Sequence, residues 1–460
     1  MARRDNKKLL LYTLIVILIF GIFFFLPKLE ILEQNKPNIF INDTVYSNLK
    51  EALPLRLTDE HRGIKRVKIS LKKDVNETAN VLMDQKFSNN KELVLQISLP
   101  KLAYKEKLNS YLMDIEVWDS SLWGWFSGNL SKKSIRVIID DKKPMLNILA
   151  NSYQIEQGGA ASVVFEARDE NLDEAYILTD KGKRFEVVPF IKENFYASLI
   201  AWDSKDKDFR AYVVLKDKAG NETKERIRYY FLNKKYRESN IALNDRFLDG
   251  KIEQLANQYA PEPDELDRLA KFKFVNETLR LGNEALIHKI TSKIQEKELN
   301  ENFKLKLFLP LKNAMKVADF ADHRFYSYKD KFVSDSYHLG LDLASVAEAP
   351  IITNNDGEVV FAEENGIYGN NVVVYHGFGL YTLYGHCSSR RVSEGDKVYE
   401  GDVIANTGVS GLALGDHLHF GVLVQGVEVR PEQFQDPIWL KNNIHEVLEN
   451  AKKIILRQRQ

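Results

Sequence analysis

Five side chains in three short stretches carry the chemistry of this sequence. They are His338 and Asp342 in His-Leu-Gly-Leu-Asp-Leu-Ala, His386 in Leu-Tyr-Gly-His-Cys-Ser, and His417 and His419 in His-Leu-His-Phe-Gly-Val. Successive side chains of a strand point to opposite faces, so as strands His338, Gly340 and Asp342 share one face and Leu339, Leu341 and Leu343 the other. His417, His419 and Gly421 likewise oppose Leu418, Phe420 and Val422. A lone histidine is more often a satisfied structural residue than a ligand. An unliganded strand face holding two imidazoles, however, gains nothing for a core. Two neutral imidazoles and one carboxylate form a catalytic zinc set whose fourth position is open to water. Zinc there would lower that water's pKa to about 7 and polarise a carbonyl, and the remaining histidines can move protons or hold an oxyanion. Spacing leaves open which of His417 and His419 is the ligand, since alternate strand residues stand only about 7 Å apart.

Other chemistries fail on the residues. His445-Glu446 is followed by Val-Leu-Glu, so there is no His-Glu-x-x-His; Ser410 is followed by Gly411-Leu412, so there is no Gly-x-Ser-x-Gly; phosphate loops are absent. Cys387 is the only cysteine, which excludes internal disulfides and thiolate zinc modules. It reads as a small core residue on the face away from His386. The 65 Lys+Arg and 65 Asp+Glu residues cancel, so no basic field speaks for a nucleic-acid partner.

The elements that hold these residues must lie close together, and 14 of the 24 glycines fall between Gly340 and Gly426. Tight turns such as Asp356-Gly357, His376-Gly377-Phe378-Gly379, Gly395-Asp396 and Gly401-Asp402 punctuate short strands there. Before this region, residues 36–236 alternate like strands and contain a repeat. Gly128-Asn129-Leu-Ser-Lys-Lys-Ser-Ile-Arg136 aligns without a gap to Gly220-Asn221-Glu-Thr-Lys-Glu-Arg-Ile-Arg228, with Asp119 and Asp217 shortly before each copy. Tandem β-sandwiches follow from it, serving as a spacer. The first copy carries an extra tip, Leu122 to Phe126, which would grip a protein partner or the lipid interface, or pack on a neighbouring domain. From Asn240 the period turns helical, with Asp264 expected to cap a helix after Pro261-Glu-Pro263. This connector could cover the catalytic face as a lid. Residues 437–460 read as a packing helix.

At the amino end, residues 9–26 are 18 uncharged positions, 15 of them Leu, Ile, Val or Phe, after Arg3, Arg4, Lys7 and Lys8. A helix of that length spans about 27 Å and reads as an uncleaved membrane anchor with its amino terminus in the cytoplasm and the rest outside. The expected division is a cytoplasmic tail 1–8, a transmembrane helix 9–26, β-sandwich domains 36–142 and 143–236, a connector 240–300, a glycine-rich β domain 303–436 that carries the five side chains and a terminal helix 437–460. Asp74-Val75-Asn76-Glu77-Thr78 also fits an extended bacterial glycosylation acceptor.

Taken together, His338-x-x-x-Asp342, Tyr384-Gly385-His386 with Ser388, Gly395-Asp396-x-Val398-x-x-Gly401-Asp402-x-Ile404, and Gly408-x-x-Gly411 leading to His417-x-His419-Phe420 resemble the lysostaphin/LytM-type zinc peptidoglycan endopeptidases. The resemblance covers Phe303 to Phe434. It implies that His338, Asp342 and His419 bind Zn2+ and that His386 and His417 are the catalytic pair. It also implies a compact antiparallel β domain with an open groove and a substrate in the peptide part of the bacterial cell wall. Cys387 stands where the family commonly has Leu. No wall-targeting module of the Gram-positive kind is seen, which favours a Gram-negative inner-membrane protein with a periplasmic catalytic domain, cutting D-Ala to diaminopimelate bonds. The fold class expected is mainly β: an N-terminal transmembrane helix, two tandem Ig-like β-sandwich domains, a helical linker and a C-terminal antiparallel β LytM-type peptidase domain. The function expected is zinc-dependent hydrolysis of peptidoglycan cross-links in wall remodelling, growth or cell shape. The alternative is a non-enzymatic regulator or scaffold that recruits another wall hydrolase.

Overall fold

The computed structural model describes Thr13 and residues 33–457, apart from 74–76, 102–108, 124–126, 296–298 and 300–302. Asn76 of the expected glycosylation acceptor and Gly124 to Phe126 of the aromatic tip lie outside the described residues. Of the tip's remainder, Leu122 is half-buried and Trp123 is 41% exposed.

One part of the expected fold class is corrected. Among the described residues no helix is long and apolar enough to cross a membrane, and the stretch 9–26 lies outside them except for Thr13. The architecture described is mainly β, with helical segments and a C-terminal antiparallel β domain.

Two compact units divide the chain. The first takes the described residues up to Pro144 with short returns at Glu170–Asp173 and Lys216–Glu222. A three-stranded sheet and a five-stranded sheet enclose a core of Leu55, Leu57, Val67, Ile69, Met113, Ile115, Val117 and Val137. The alternating burial of Ser110–Asp119 is the period-2 signature of a strand with one face inward. The repeat seen in the sequence is a turn held by a carboxylate. Asp119 Oδ1 accepts from the backbone N–H of Ser121 (3.0 Å) and Asn129 (2.7 Å), and Asn129 Nδ2 donates to Oδ2 (2.8 Å). Asp217 repeats this with Ala219 (2.9 Å), Asn221 (2.8 Å) and Asn221 Nδ2 (2.8 Å). The glycine of each Gly-Asn pair has positive φ, +84° at Gly128 and +86° at Gly220, which a side chain would oppose.

The second unit holds the site. Its main sheet has eight strands paired antiparallel throughout. Four strands carry four of the five histidine and aspartate side chains: β1 (Lys331–His338), β2 (Leu341–Ala344), β3 (Leu380–Cys387) and β4 (Leu418–Val424), with His417 just before β4 in an isolated bridge to Gly408. Strands β2, β4 and β3 are neighbours in the large sheet, while β1 belongs to a three-stranded sheet with Glu238–Ala242 and Asp322–Tyr328.

The helical connector packs on the same unit. Leu248, Ile252, Leu255, Phe272, Val275 and Ile287 form one core with Tyr326, Phe361, Val373, Leu383 and Leu423 of the strands. The cap of its second helix is Asp267, whose side chain accepts from Ala270 N–H, not Asp264, which sits in a short Pro263–Glu265 turn. Proline at the first position of that turn fixes φ and uses up Asp264 before the helix proper begins. The last helix, Glu446–Arg457, buries Val447, Leu448, Ala451 and Ile455, and packs against the strands Met145–Asn151 and Ala160–Arg168.

Candidate metal centre

Register brings the ligand atoms together. Asp342 of β2 lies directly opposite His419 of β4, and Gly385 of β3 lies opposite His419 on its other side. The alternation pattern puts His338 and Asp342 on one strand, and the structure corrects this: they lie on two. His338 closes β1, and the chain bends at Leu339-Gly340 before β2 begins. Gly340 is what permits the bend. A Cβ there would stand 2.6 Å from His419 Nε2 and 2.8 Å from the Phe420 carbonyl oxygen.

Three atoms form a small triangle. His338 Nε2 is 2.9 Å from Asp342 Oδ1, His419 Nδ1 is 3.0 Å from the same oxygen, and the two nitrogens are 3.1 Å apart. The other two predicted histidines flank it. His417 Nε2 is 3.6 Å from Asp342 Oδ1, and the His386 ring centre is 4.8 Å from that of His417 and 5.7 Å from that of His419. His386 reaches this position through a backbone φ of +63°, so simple strand alternation is broken there. Cys387 beside it is fully buried, and burial pushes its thiol up to about 12.

Backbone carbonyls settle the tautomers. A carbonyl oxygen only accepts, so the Nδ1–H groups of His338, His386 and His417 donate to Asp319 (2.8 Å), Ser410 (2.9 Å) and Gly415 (2.7 Å). Each of these rings therefore keeps a bare Nε2 lone pair. The bare Nε2 of neutral His338 and the ionised Asp342 Oδ1 thus stand 2.9 Å apart with no proton between them, an arrangement that a cation satisfies. Two imidazoles and a carboxylate are the donor set expected of zinc, and the outer nitrogen of His338 has the supporting partner such a ligand uses, the Asp319 carbonyl.

Charge agrees with this. Burial alone would raise the Asp342 carboxyl, yet His338 and His419 beside it hold it well below the usual carboxylate range. Burial takes His419 down to about 4, and burial with the neighbouring His419 and His417 keeps His386 well below its ordinary value. Near neutral pH the carboxylate is ionised and these rings are neutral, which is the state a metal ligand needs.

The triangle opens into a cavity of about 280 Å3. Beyond the five predicted residues its walls include Arg324, Tyr326, Tyr368, Leu243, Phe247 and Arg280. Tyr368 lies against His419, ring centres 5.5 Å apart, and Arg324 Nη2 is 4.0 Å from Asp342 Oδ2. The sequence pattern does not reveal these residues because they fall outside the three motif stretches. Phe247 and Arg280 come from the connector, so the groove that the resemblance implies to be open is walled on that side.

Residues 336–431 match Peptidase family M23. Over 94 residues the chain is 37% identical to the DD-carboxypeptidase/endopeptidase Mpg of Neisseria meningitidis serogroup B, covering 20% of this chain and 22% of that protein. Over 101 residues it is 36% identical to the peptidoglycan DD-endopeptidase ShyA of Vibrio cholerae, covering 22% of this chain and 24% of that protein. The matches thus span less than a quarter of the length of these relatives. A solved peptidase M23 structure from Pseudomonas aeruginosa superposes with a TM-score of 0.39 at 19% identity, covering 61% of this chain and 93% of its own. The carboxyl-terminal β region is a LytM-type M23 peptidase domain.

Proposed function

We propose that this protein is a zinc-dependent endopeptidase that hydrolyses peptide cross-links of bacterial peptidoglycan, acting outside the cytoplasm in wall remodelling, growth or cell shape. The observation that carries the reading is the triangle of His338, Asp342 and His419 donor atoms, none more than 3.1 Å from the next. The peptidoglycan endopeptidases among the relatives support the substrate class.

His338 Nε2, Asp342 Oδ1 and His419 Nδ1 would hold the zinc ion, which when bound supplies a Lewis acid for a peptide carbonyl and for water. His386 and His417 are the catalytic pair. Water attacks the carbonyl carbon of the scissile amide while a bare Nε2 of this pair takes its proton. The imidazolium then returns that proton to the leaving amine as the C–N bond breaks, which leaves the acid product and a neutral ring. The carbonyls of Ser410 and Gly415 hold both rings in the required tautomer. Apolar walls at Leu243, Phe247, Ile367 and Leu412 limit the water that reaches the reacting bond.

The test uses the full chain and purified muropeptide dimers, with products separated by chromatography. Conversion to monomers, loss with a chelator and return with zinc are expected. His386→Ala should keep one equivalent of metal by elemental analysis while turnover falls by about 10²–10⁴-fold. Metal bound by the wild type with no cleavage of any dimer would overturn the hydrolase reading and favour the scaffold alternative.

A further inference from the structure

Two arginines open into the catalytic cavity, and neither belongs to the stretch that matches the peptidase family. Arg324 lies on the strand Asp322–Tyr328 and Arg280 opens the connector helix Arg280–Thr291. Both line the cavity that holds the histidines and Asp342. Their side chains are only 23% and 15% exposed, so what exposure they have is largely what the cavity provides.

Neither guanidinium is used up by the protein. Arg324 donates through Nε to Asp322 Oδ2 at 3.3 Å, and its Nη2 stands 4.0 Å from Asp342 Oδ2, beyond hydrogen-bond reach. Arg280 turns Nε and Nη2 onto the single oxygen Asn276 Oδ1, at 3.3 and 3.2 Å. Its Nη1 is 4.0 Å from Glu284 Oε1. Both Nη groups of Arg324 and Nη1 of Arg280 are therefore without a hydrogen bond among the described residues. A half-buried guanidinium with unfilled N–H donors is a site for a planar anion, and a carboxylate matches its fork.

Position narrows the ligand. Arg324 faces the outer oxygen of Asp342 while the inner oxygen faces the two ligand nitrogens. An anion held by Arg324 would thus lie beside the metal-ligand set. Beside the polar atoms of Asn244, Tyr326 and Tyr368, the walls include the apolar Ile241, Leu243, Phe247, Ile367, Leu412 and Leu414, which suit a short aliphatic side chain. A volume of about 280 Å3 takes a residue-sized group and not a polymer strand.

We propose that Arg324 and Arg280 form a carboxylate-reading subsite for the residue whose amine is released, so that the preferred scissile amide has the form CO–NH–CH(R)–COO⁻ with a free carboxylate. The inference rests on the hydrolase reading for where the amide lies. Two sources share this chemistry: a terminal alanine at the end of a stem peptide, and a diamino acid at a cross-link whose carboxylate adjoins the bonded amine.

The test compares each substrate as the free acid and as the carboxamide, using the full chain. One pair is a stem peptide ending in D-Ala-D-Ala, the other a cross-linked dimer. The acid is expected to be turned over about 10- to 100-fold faster in kcat/KM, mostly through KM. Whichever pair is cleaved identifies the source. Arg324→Gln and Arg280→Gln should each collapse the acid-to-amide ratio toward one, and Arg280→Lys should keep part of it. Melting curves and metal content identify any variant that fails to fold, and the Arg280→Lys ratio then decides. Equal rates on acid and amide by the wild type, or an unchanged ratio in the folded variants, overturn the subsite.

Binding separates this from the hydrolase reading. With the full chain, N-acetyl-D-alanine should perturb the protein by titration calorimetry or NMR where N-acetyl-D-alaninamide does not, and the Gln variants should lose the difference. If no substrate is cleaved but this discrimination is present, the hydrolase reading fails and the subsite stands. If neither acid nor amide binds, the subsite fails.

Discussion

The residue with no side chain sets the place of a metal ligand. Gly340 takes no part in the proton transfers at the scissile amide, yet its missing Cβ is what leaves room for the His419 ring, with 2.6 Å to Nε2. Gly340→Ala should push that ring off the position in which Nδ1 meets Asp342 and His338. The expected result is about 10- to 100-fold weaker metal affinity in a competitive chelator titration, with every ligand still present, and a lower melting temperature from the close approach to the Phe420 carbonyl oxygen. Wild-type affinity in that variant would mean that the ring yields freely and that the close approach is incidental. At this scale the sequence is highly legible. All five predicted side chains meet in one cavity, because the period-2 rule needs only local spacing and because His417, bridged to Gly408, stands directly before the strand that holds His419. Two details are not legible. The bend at Leu339-Gly340 keeps His338 and Asp342 on one side while placing them on different strands, and a two-residue bend leaves the spacing unchanged. Arg280 and Arg324 lie 58 and 14 residues before His338 in the sequence, so only the fold brings them to the cavity.

Elements divide by whether their signal is local or tertiary. The Asp119 and Asp217 turns can be read as a repeat because a carboxylate, a glycine with positive φ and an asparagine within a few residues form the whole device. Asp119→Ala removes the acceptor for the Ser121 and Asn129 amides at a position closed to solvent, since Asp119 is fully buried. A loss of about 1–3 kcal/mol is expected from the stranded donors, read as a lower melting temperature of the first unit. A change within error would mean that the turn finds another acceptor. The connector's role has a tertiary signal only. Its helical period is visible, but that it packs on the peptidase sheet follows from the shared core of Leu248, Phe272 and Ile287 with Leu383 and Leu423. The expected cap falls three residues early because Pro261-Glu-Pro263 marks a breaker without saying that a short turn comes first. Leu248 is 1% exposed, so Leu248→Ala should cost about 2–5 kcal/mol. Because Phe247 beside it lines the cavity, the same variant should also shift KM, measured on the muropeptide substrate at a temperature where it remains folded.

For the whole molecule the sharpest handle is acid. His376 sits where its Nδ1–H donates to the Asp356 carbonyl at 2.9 Å and its Nε2 meets Thr382 Oγ1 at 2.8 Å. Phe308 lies against the ring with centres 5.0 Å apart. Burial lowers this ring from 6.5 to about 4, the Asp356 carbonyl opposing only in part. Between those two values the unfolded chain binds a proton that the folded chain refuses. Stability from this group is therefore fully present above about pH 6.5 and declines as the pH falls toward 4, at up to about 1.4 kcal/mol per pH unit for one proton. His288 works in the other direction. Its hydrogen bond to Glu428, 2.6 Å, raises it despite burial, so its stabilisation is complete below 6.5 and is lost as the pH rises through the raised value. Melting temperatures of the full chain with chelator present, taken in steps from pH 4.5 to 8, separate the two. His376→Gln should flatten the acid limb of the stability curve, and His288→Gln should remove a loss on the alkaline side. Were His376→Gln to leave the acid limb unchanged, the loss of stability in acid would belong to other groups, the buried rings of His419 and His386 and carboxylates such as Asp114 with its Lys72 and Ser134 partners.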